Sequence, residues 1–398
     1  MLYKFWKNYR FPIILFISII IGSLIGLILG DNTSYLEPIG NIFINMLFVV
    51  VVPLVFFSIS SSIASINSIT KLGKIFKYML FVFIITSLIS SVFMLLILLF
   101  INPVSTSISF TDYSEQTINI GNNIVNMFTT SEFYLLLSKS NIFPLIIFSI
   151  LFGLSVKLCG DSVSSIKNGL ESITKIMYKM VNIIMYLAPI GLMAYFANLI
   201  GTYGPELIGS YAKSFIIYLV AALLYYVIFY SLYVYLAYRK KGIKLFYKNI
   251  LLSTITSLGT CSSLASLPAN ITVADNMNID KEVSRFSLPI GATIHMEGSS
   301  MASILKIVFL FSIFGRSFTG VSDILIALLI AVLSGVVMSG IPGGGLIGEM
   351  LIVSMYGFPS VAFPIISTIG WLVDSPATCL NVVGDIPSAM MINRLTEK

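Results

Sequence analysis

The chain has 398 residues, of which 57% are hydrophobic and only 10% charged, and its mean hydropathy is +0.98. A soluble domain carries about 25% charged residues, so this chain reads as an integral membrane protein with many crossings, which excludes soluble enzymes, secreted disulfide domains and disordered chains. The net charge of +6 reads as basic loops that set topology, not as a nucleic-acid surface. Cys159, Cys261 and Cys379 are too scattered for a disulfide or zinc framework. A single histidine, His295, excludes His-clustered metal sites.

Uncharged stretches long enough to span a bilayer run over 11–30, 38–70, 78–110, 140–156, 180–205 and 214–238. The first lacks charge and is long enough to span, so it reads as a helix and not as a cleavable signal. The last 150 residues differ. Residues 249–274 are uncharged but rich in Ser, Thr and Gly, and 324–348 are broken by Ser339-Gly340-Ile341-Pro342-Gly343-Gly344-Gly345. Each reads as two short helices meeting at a non-helical tip, a backbone tolerated at membrane depth only inside protein or beside a cavity. Each is followed by a helix with polar residues at its middle, 286–314 and 360–395. A broken hairpin followed by a polar helix, twice over, points to a transporter site between inverted repeats. The expected fold is therefore an all-α polytopic membrane protein of eight transmembrane helices plus two re-entrant hairpins.

Most of the 23 basic residues fall on one side of this plan: before the first helix, after the second, fourth and sixth, and around 281–285 and 394–398. The opposite loops carry Asp31, Glu37, Asp112, Glu115, Glu132 and Glu206. Both termini are expected on the cytoplasmic side of the plasma (cell inner) membrane, with 112–132 an external loop.

Ionisable groups inside a membrane are costly and point to function. His295 and Glu297 lie in the seventh helix, Asp374 and Asp385 in the eighth; Lys306 and Glu349 sit nearer segment ends. Asp374 and Asp385 are about three turns apart, and Thr378 and Asn381 fall on the same face. This polar stripe suits an ammonium, a carboxylate and a hard cation in turn, with hairpin tips offering free backbone N–H and C=O groups. The same four residues also suit plain interhelical hydrogen bonding.

Motifs along the whole chain then point one way: Lys71-Leu72-Gly73-Lys74, Thr86-Ser87, Asn102-Pro103, Ala188-Pro189-Ile190-Gly191, Ser262-Ser263 and Leu267-Pro268. The run 291–300, GATIHMEGSS, resembles G-A-T-I-N-M-D-G-T; the glycine-rich tip resembles G-[IV]-P-G-x-G; and 374–385 resembles D-x-x-R-T-x-x-N-V-x-G-D. Together they resemble the dicarboxylate/amino acid:cation symporter family, which includes glutamate and archaeal aspartate transporters. That resemblance implies a lipid-embedded homotrimer with an elevator mechanism. It implies a scaffold of helices one and two (1–75) and four and five (130–210), and a transport domain of helix three (76–105) and everything from 211 to 398. The second hairpin would be the external gate.

Carried over by position, Asp374 would bind the substrate amino group, and Thr378 and Asn381 its α-carboxylate. Cys261, Ser262, Ser263, Ser299, Ile341, Gly345 and Ala377 would complete the pocket. One sodium site would use Asp385 with carbonyls of Gly291, His295 and Asn381. A second would use carbonyls near Thr293, Gly335, Val336 and Met338, and a third Thr86, Ser87, His295 and Glu297.

Departures from the pattern bear on substrate and ion. Acidic-substrate members place an Arg in the eighth helix or the first hairpin to pair with a second carboxylate. Here those positions are Ala377 and Cys261. A second substrate carboxylate would be desolvated without a partner, so a small neutral amino acid is expected. The alternative is an acidic amino acid or dicarboxylate held by another donor. His295 stands where the family has Asn, and Glu297 where it has Asp. Coupling to sodium is expected, with a proton through His295 as the open alternative. An ion channel and an intramembrane enzyme are the rivals from other classes. A channel would show a continuous polar pore, whereas the hairpins and the Asp/Asn stripe favour a closed site; the enzyme reading fails because Asp374 and Asp385 are too far apart to share a proton.

Overall fold

In a computed structural model of the chain, residues 2–65, 73–104, 129–138, 141–203, 206–337 and 345–397 are described. They are helical, with no strand among them. The helices in chain order are α1 (Leu2–Leu29), α2 (Glu37–Ala64), α3 (Gly73–Phe100), α4 (Ile142–Cys159), α5 (Ser164–Met185), α6 (Ala188–Tyr203) and α7 (Glu206–Asn249). Then come α8 (Leu251–Thr260), α9 (Ser263–Asn276), α10 (Lys281–Ile294), α11 (Glu297–Ile313), α12 (Val321–Val337), α13 (Gly345–Met355) and α14 (Ala362–Thr396). Among the described residues, five helical stretches are long and apolar enough to cross a membrane: Asn32–Ser61, Lys74–Phe100, Pro144–Met185, Leu207–Asn249 and Lys281–Ile313. Ile17–Leu29, Ala188–Thr202, Val321–Gly335 and Gly345–Met355 are shorter apolar helices.

Three expectations need correction. The apolar stretch 180–205 straddles two helices, because Pro189 cannot donate a ladder hydrogen bond and the chain breaks at 186–187 between α5 and α6. The sixth helix leaves helical geometry at Tyr238 and Arg239, its expected end, where Arg239 takes a φ of 57°, but a further helical stretch follows to Asn249. The seventh is not continuous: His295 is extended (φ −106°) and Met296 non-helical (φ −130°), and they divide it into α10 and α11. The tip of the second hairpin, including Met338 and Ile341, and most of the expected external loop lie outside the described residues.

The first hairpin turns at Cys261, in the left-handed region at φ 47°, followed by Ser262 at φ −146°. The Ser262 side chain then accepts from the Ala265 N–H at 3.3 Å, capping α9. Asp280 caps α10 in the same way, its Oδ1 accepting from the N–H groups of Glu282 (2.7 Å) and Val283 (3.3 Å).

Packing sorts the helices into two groups. In one, α2 packs on α4, α5 and α6, and α1 packs on α6. In the other, α14 is central, touching α3, α7, α10, α11 and both hairpins, α8–α9 and α12–α13. The groups meet where α13 lies against α2 and α4 and where α1 touches α8 and α14. Apolar residues such as Leu219, Val220, Leu223 and Ile228 on α7 stay exposed, as expected of a face turned to lipid. In the second group α11 is almost wholly buried and α14 mostly so, and they carry Glu297, Lys306, Asp374 and Asp385.

Candidate functional site

The break between α10 and α11 places His295 and the start of α11 against α14. His295, Glu297 and Asp385 are all buried. His295 Nδ1 lies 2.9 Å from Asp385 Oδ1, and Nε2 lies 2.8 Å from Thr86 Oγ1 on α3 and 3.8 Å from Glu297 Oε1. An ionised Asp385 can only accept, so Nδ1 carries the proton and Nε2 accepts from the Thr86 hydroxyl in the neutral ring. The Phe83 ring stacks on the imidazole at 4.3 Å and 17°, fixing its plane.

Tyr225 of α7 donates to Glu297 Oε1 at 3.2 Å and lies 2.9 Å from the Tyr233 hydroxyl. Tyr230 donates to the Leu380 carbonyl at 2.7 Å, and Tyr218 to that of Gly298 at 2.8 Å. Glycines make room: a Cβ on Gly291 would strike Asp385 Oδ1, and one on Gly384 would strike Glu297 Oε2.

Two carboxylate oxygens, Asp385 Oδ2 and Glu297 Oε2, are buried with no hydrogen-bond partner among the described residues. Buried anionic oxygens of this kind are costly without a cation or proton. Hydroxyl and carbonyl oxygens beside them make a hard donor set that fits an alkali cation. No group of three His, Cys, Asp or Glu side chains that could hold a metal ion occurs among the described residues, so the donors match a transition metal poorly.

The expected site residues divide between this cluster and a neighbouring pocket. Thr86, His295, Glu297, Asp385 and Gly291 meet in the cluster. Ser87 is buried beside Thr86, and its carbonyl takes up the Ser90 and Ser91 hydroxyls, each at 2.8 Å. Gly335 backs onto Met296 at the helix break, its Cβ position 3.6 Å from the Met296 carbonyl oxygen. The Thr293 hydroxyl donates to the Ile290 carbonyl at 2.7 Å. Val336 lies in the last turn of α12, so the second expected cation site is only partly within view.

The pocket is a cavity of about 80 Å³ lined by Cys261, Ser263, Ser299, Gly345, Asp374, Ala377, Thr378 and Asn381, with Met296, Lys306, Glu349 and Trp371 among the rest. At roughly 10–15 Å³ per enclosed water, it has room for a small solute. Ser262 caps α9 instead of lining it. Asn381 Oδ1 accepts from the N–H groups of Gly298 (2.9 Å) and Ser299 (3.2 Å), capping α11, and its Nδ2 donates to Ser299 Oγ at 3.0 Å. One Nδ2 proton therefore remains to face the pocket. The polar stripe of α14 is thus split: Asp374, Thr378 and Asn381 serve the pocket, and Asp385 serves the cluster one turn beyond. Two larger clefts, of about 750 and 680 Å³, carry no charged lining residue.

Sequence reasoning missed the tyrosines of α7 and the Lys306–Glu349 pair. The signal for the first was present: Tyr218 and Tyr225 are seven apart and Tyr225 and Tyr233 eight, spacings that share one helical face. The pairing of Lys306 with Glu349, 43 residues away, had no local signal.

Residues 11–395 match the Sodium:dicarboxylate symporter family. Among curated proteins, human Excitatory amino acid transporter 2 is 26% identical over 65% of this chain and 45% of its own length. Human Neutral amino acid transporter A is 26% identical over 65% of this chain and 49% of its own. Proton/sodium-glutamate symport protein of Geobacillus stearothermophilus is 25% identical over 96% of this chain and 93% of its own. The chain thus spans about half the length of the animal relatives and nearly all of the bacterial one. The chain belongs to the Sodium:dicarboxylate symporter family, a family of secondary transporters and not of enzymes.

Proposed function

We propose that this chain is a cation-coupled symporter that takes up a small neutral amino acid by elevator-type alternating access. The observation that carries the reading is the composition of the small pocket. Asp374 supplies an anion for an ammonium group, while Thr378, Asn381 and the Ser263 end of α9 supply donors for one carboxylate. No arginine is among its lining residues, and Ala377 and Cys261 stand where one would pair with a second carboxylate. Lys306 favours the acidic alternative, but its charge is already met by Glu349 at 2.6 Å.

The His295–Asp385–Glu297 cluster is the coupling-ion site, one helical turn from Asn381. Its unpartnered oxygens support sodium as the coupling ion. The bacterial relative is named for proton and sodium together, which keeps a proton at His295 as the alternative. The packing of α3 and α7–α13 around α14, apart from α1, α2 and α4–α6, supports a transport domain moving past a scaffold. A homotrimer in the cytoplasmic membrane, with both termini inside, completes the reading.

Purified protein in liposomes, given an inward sodium gradient and labelled serine, alanine, threonine, asparagine, glutamine, aspartate, glutamate and succinate, tests it. Sodium-driven accumulation of neutral amino acids with aspartate excluded supports the reading. Accumulation of aspartate or succinate overturns the neutral assignment. Current without accumulation overturns symport.

A further inference from the structure

Lys306 and Glu349 are both buried, on α11 and α13, and both line the pocket. Lys306 Nζ donates to Glu349 Oε1 at 2.6 Å, and Ser367 of α14 donates to Glu349 Oε2 at 2.5 Å. Three helices thus hold the pair in one orientation. Room for it is made by Gly370, where a Cβ would come within 3.0 Å of Nζ and strike Glu349 Oε1. Both charges lie within electrostatic range of Asp374.

A buried ion pair of this kind gains little stability over apolar residues of the same volume, so its place on the wall of the pocket calls for another reason. Among the described residues Glu349 is the only recorded acceptor for Nζ, which leaves two ammonium N–H groups unassigned. Each Glu349 oxygen accepts one recorded hydrogen bond and has a further lone pair. The pair therefore shows the pocket a donor beside an acceptor, with no net charge.

We propose that the Lys306–Glu349 pair is the subsite that recognises the substrate side chain, and that it selects a carboxamide, as in asparagine or glutamine. The amide oxygen accepts from Lys306 and the amide nitrogen donates to Glu349. An acidic side chain meets Glu349 with like charge, and a purely apolar one leaves both groups unpaired. This rests on the neutral amino acid reading above and deepens it.

The test is uptake by the full-length protein in liposomes under a sodium gradient, with unlabelled asparagine, glutamine, alanine, valine and aspartate as competitors. Asparagine or glutamine is expected to compete better than alanine by on the order of tenfold or more. Glu349→Gln keeps the shape of the site and releases the Lys306 charge, so it is expected to admit aspartate. The double variant Lys306→Met/Glu349→Met is expected to lose the amide preference and to gain alanine and valine.

The wild-type competition series needs no variant to fold, so it stands by itself. Neutral uptake in which amides compete no better than alanine overturns the subsite alone. So does an amide preference that survives in the double variant. Aspartate preferred by the wild type, or no uptake of any neutral amino acid, overturns the reading beneath it.

Discussion

Two buried charged clusters flank α11, one at Glu297 and one at Lys306, and they balance their charges in opposite ways. Glu297 and Lys306 are nine residues apart on α11, about 13 Å along the axis. At the Lys306 end, the carboxylate of Glu349 is met by an ammonium and a hydroxyl, and each of its oxygens has a partner. At the Glu297 end, Asp385 accepts from His295 and Glu297 from Tyr225, and each carboxylate keeps an oxygen without a partner among the described residues. The first cluster balances its charge within the protein and keeps only hydrogen-bonding capacity to offer a ligand. The second carries carboxylate oxygens that the described residues do not compensate. A buried charge the fold neutralises offers a ligand hydrogen bonds; one left uncompensated favours a cation or a proton.

That contrast can be broken most directly at Glu349. Glu349→Ala strands the Lys306 ammonium and is expected to cost about 3–5 kcal/mol, read as a fall in thermal stability in detergent. Lys306→Met/Glu349→Met should recover most of that loss. If the single and double variants are equally unstable, the pair does not balance itself as the geometry indicates.

The opposite behaviour is expected at Asp385. Asp385→Asn removes a charge that the fold leaves uncompensated but keeps an oxygen for the His295 Nδ1 proton. Sodium-driven uptake should fall on the order of hundredfold, equivalent to about 2.7 kcal/mol, while thermal stability holds or rises. A variant that loses both together would make Asp385 a structural group.

His295 sharpens the comparison through pH. A protonated imidazole adds positive charge beside the coupling cation and expels it. Uptake by the wild type should therefore fall once the pH is low enough to protonate the imidazole, and His295→Asn should flatten the profile. A rise at low pH that disappears in His295→Asn would assign the proton the role of coupling ion.

The smallest effect is expected far from either cluster. Lys175 and Glu171 form an exposed i,i+4 pair at 2.7 Å on α5. Pairs of this kind contribute little and are screened by salt. Lys175→Ala should leave both uptake and thermal stability unchanged within error.

Much of the architecture was legible before any coordinates. Apolar runs marked most helices, and Ser, Thr and Gly enrichment marked the first hairpin. The failures have identifiable causes. Hydropathy read 180–205 as one stretch because α5 and α6 are both apolar where they meet, while Pro189 is what separates them. The run 286–314 reads as one helix because nothing local announces the non-helical His295 and Met296. Those two residues are held open by partners from elsewhere: Thr86 on α3, Phe83 stacked on the ring, and Asp385 on α14.

Local pattern by itself determined the membrane class and the polar stripe of α14, with Asp374, Thr378, Asn381 and Asp385 on one face. These follow from composition and helical period, which are properties of short stretches. Only the tertiary structure decided that the stripe is divided between two sites and that Asn381 caps α11. Only it brought Lys306 and Glu349 together on the pocket wall and left Asp385 and Glu297 each with an unpartnered oxygen. The physical reason is that charge compensation is a property of partners. His295 and Asp385 are 90 residues apart, and Lys306 and Glu349 are 43 apart, so no local pattern records which buried charge meets which.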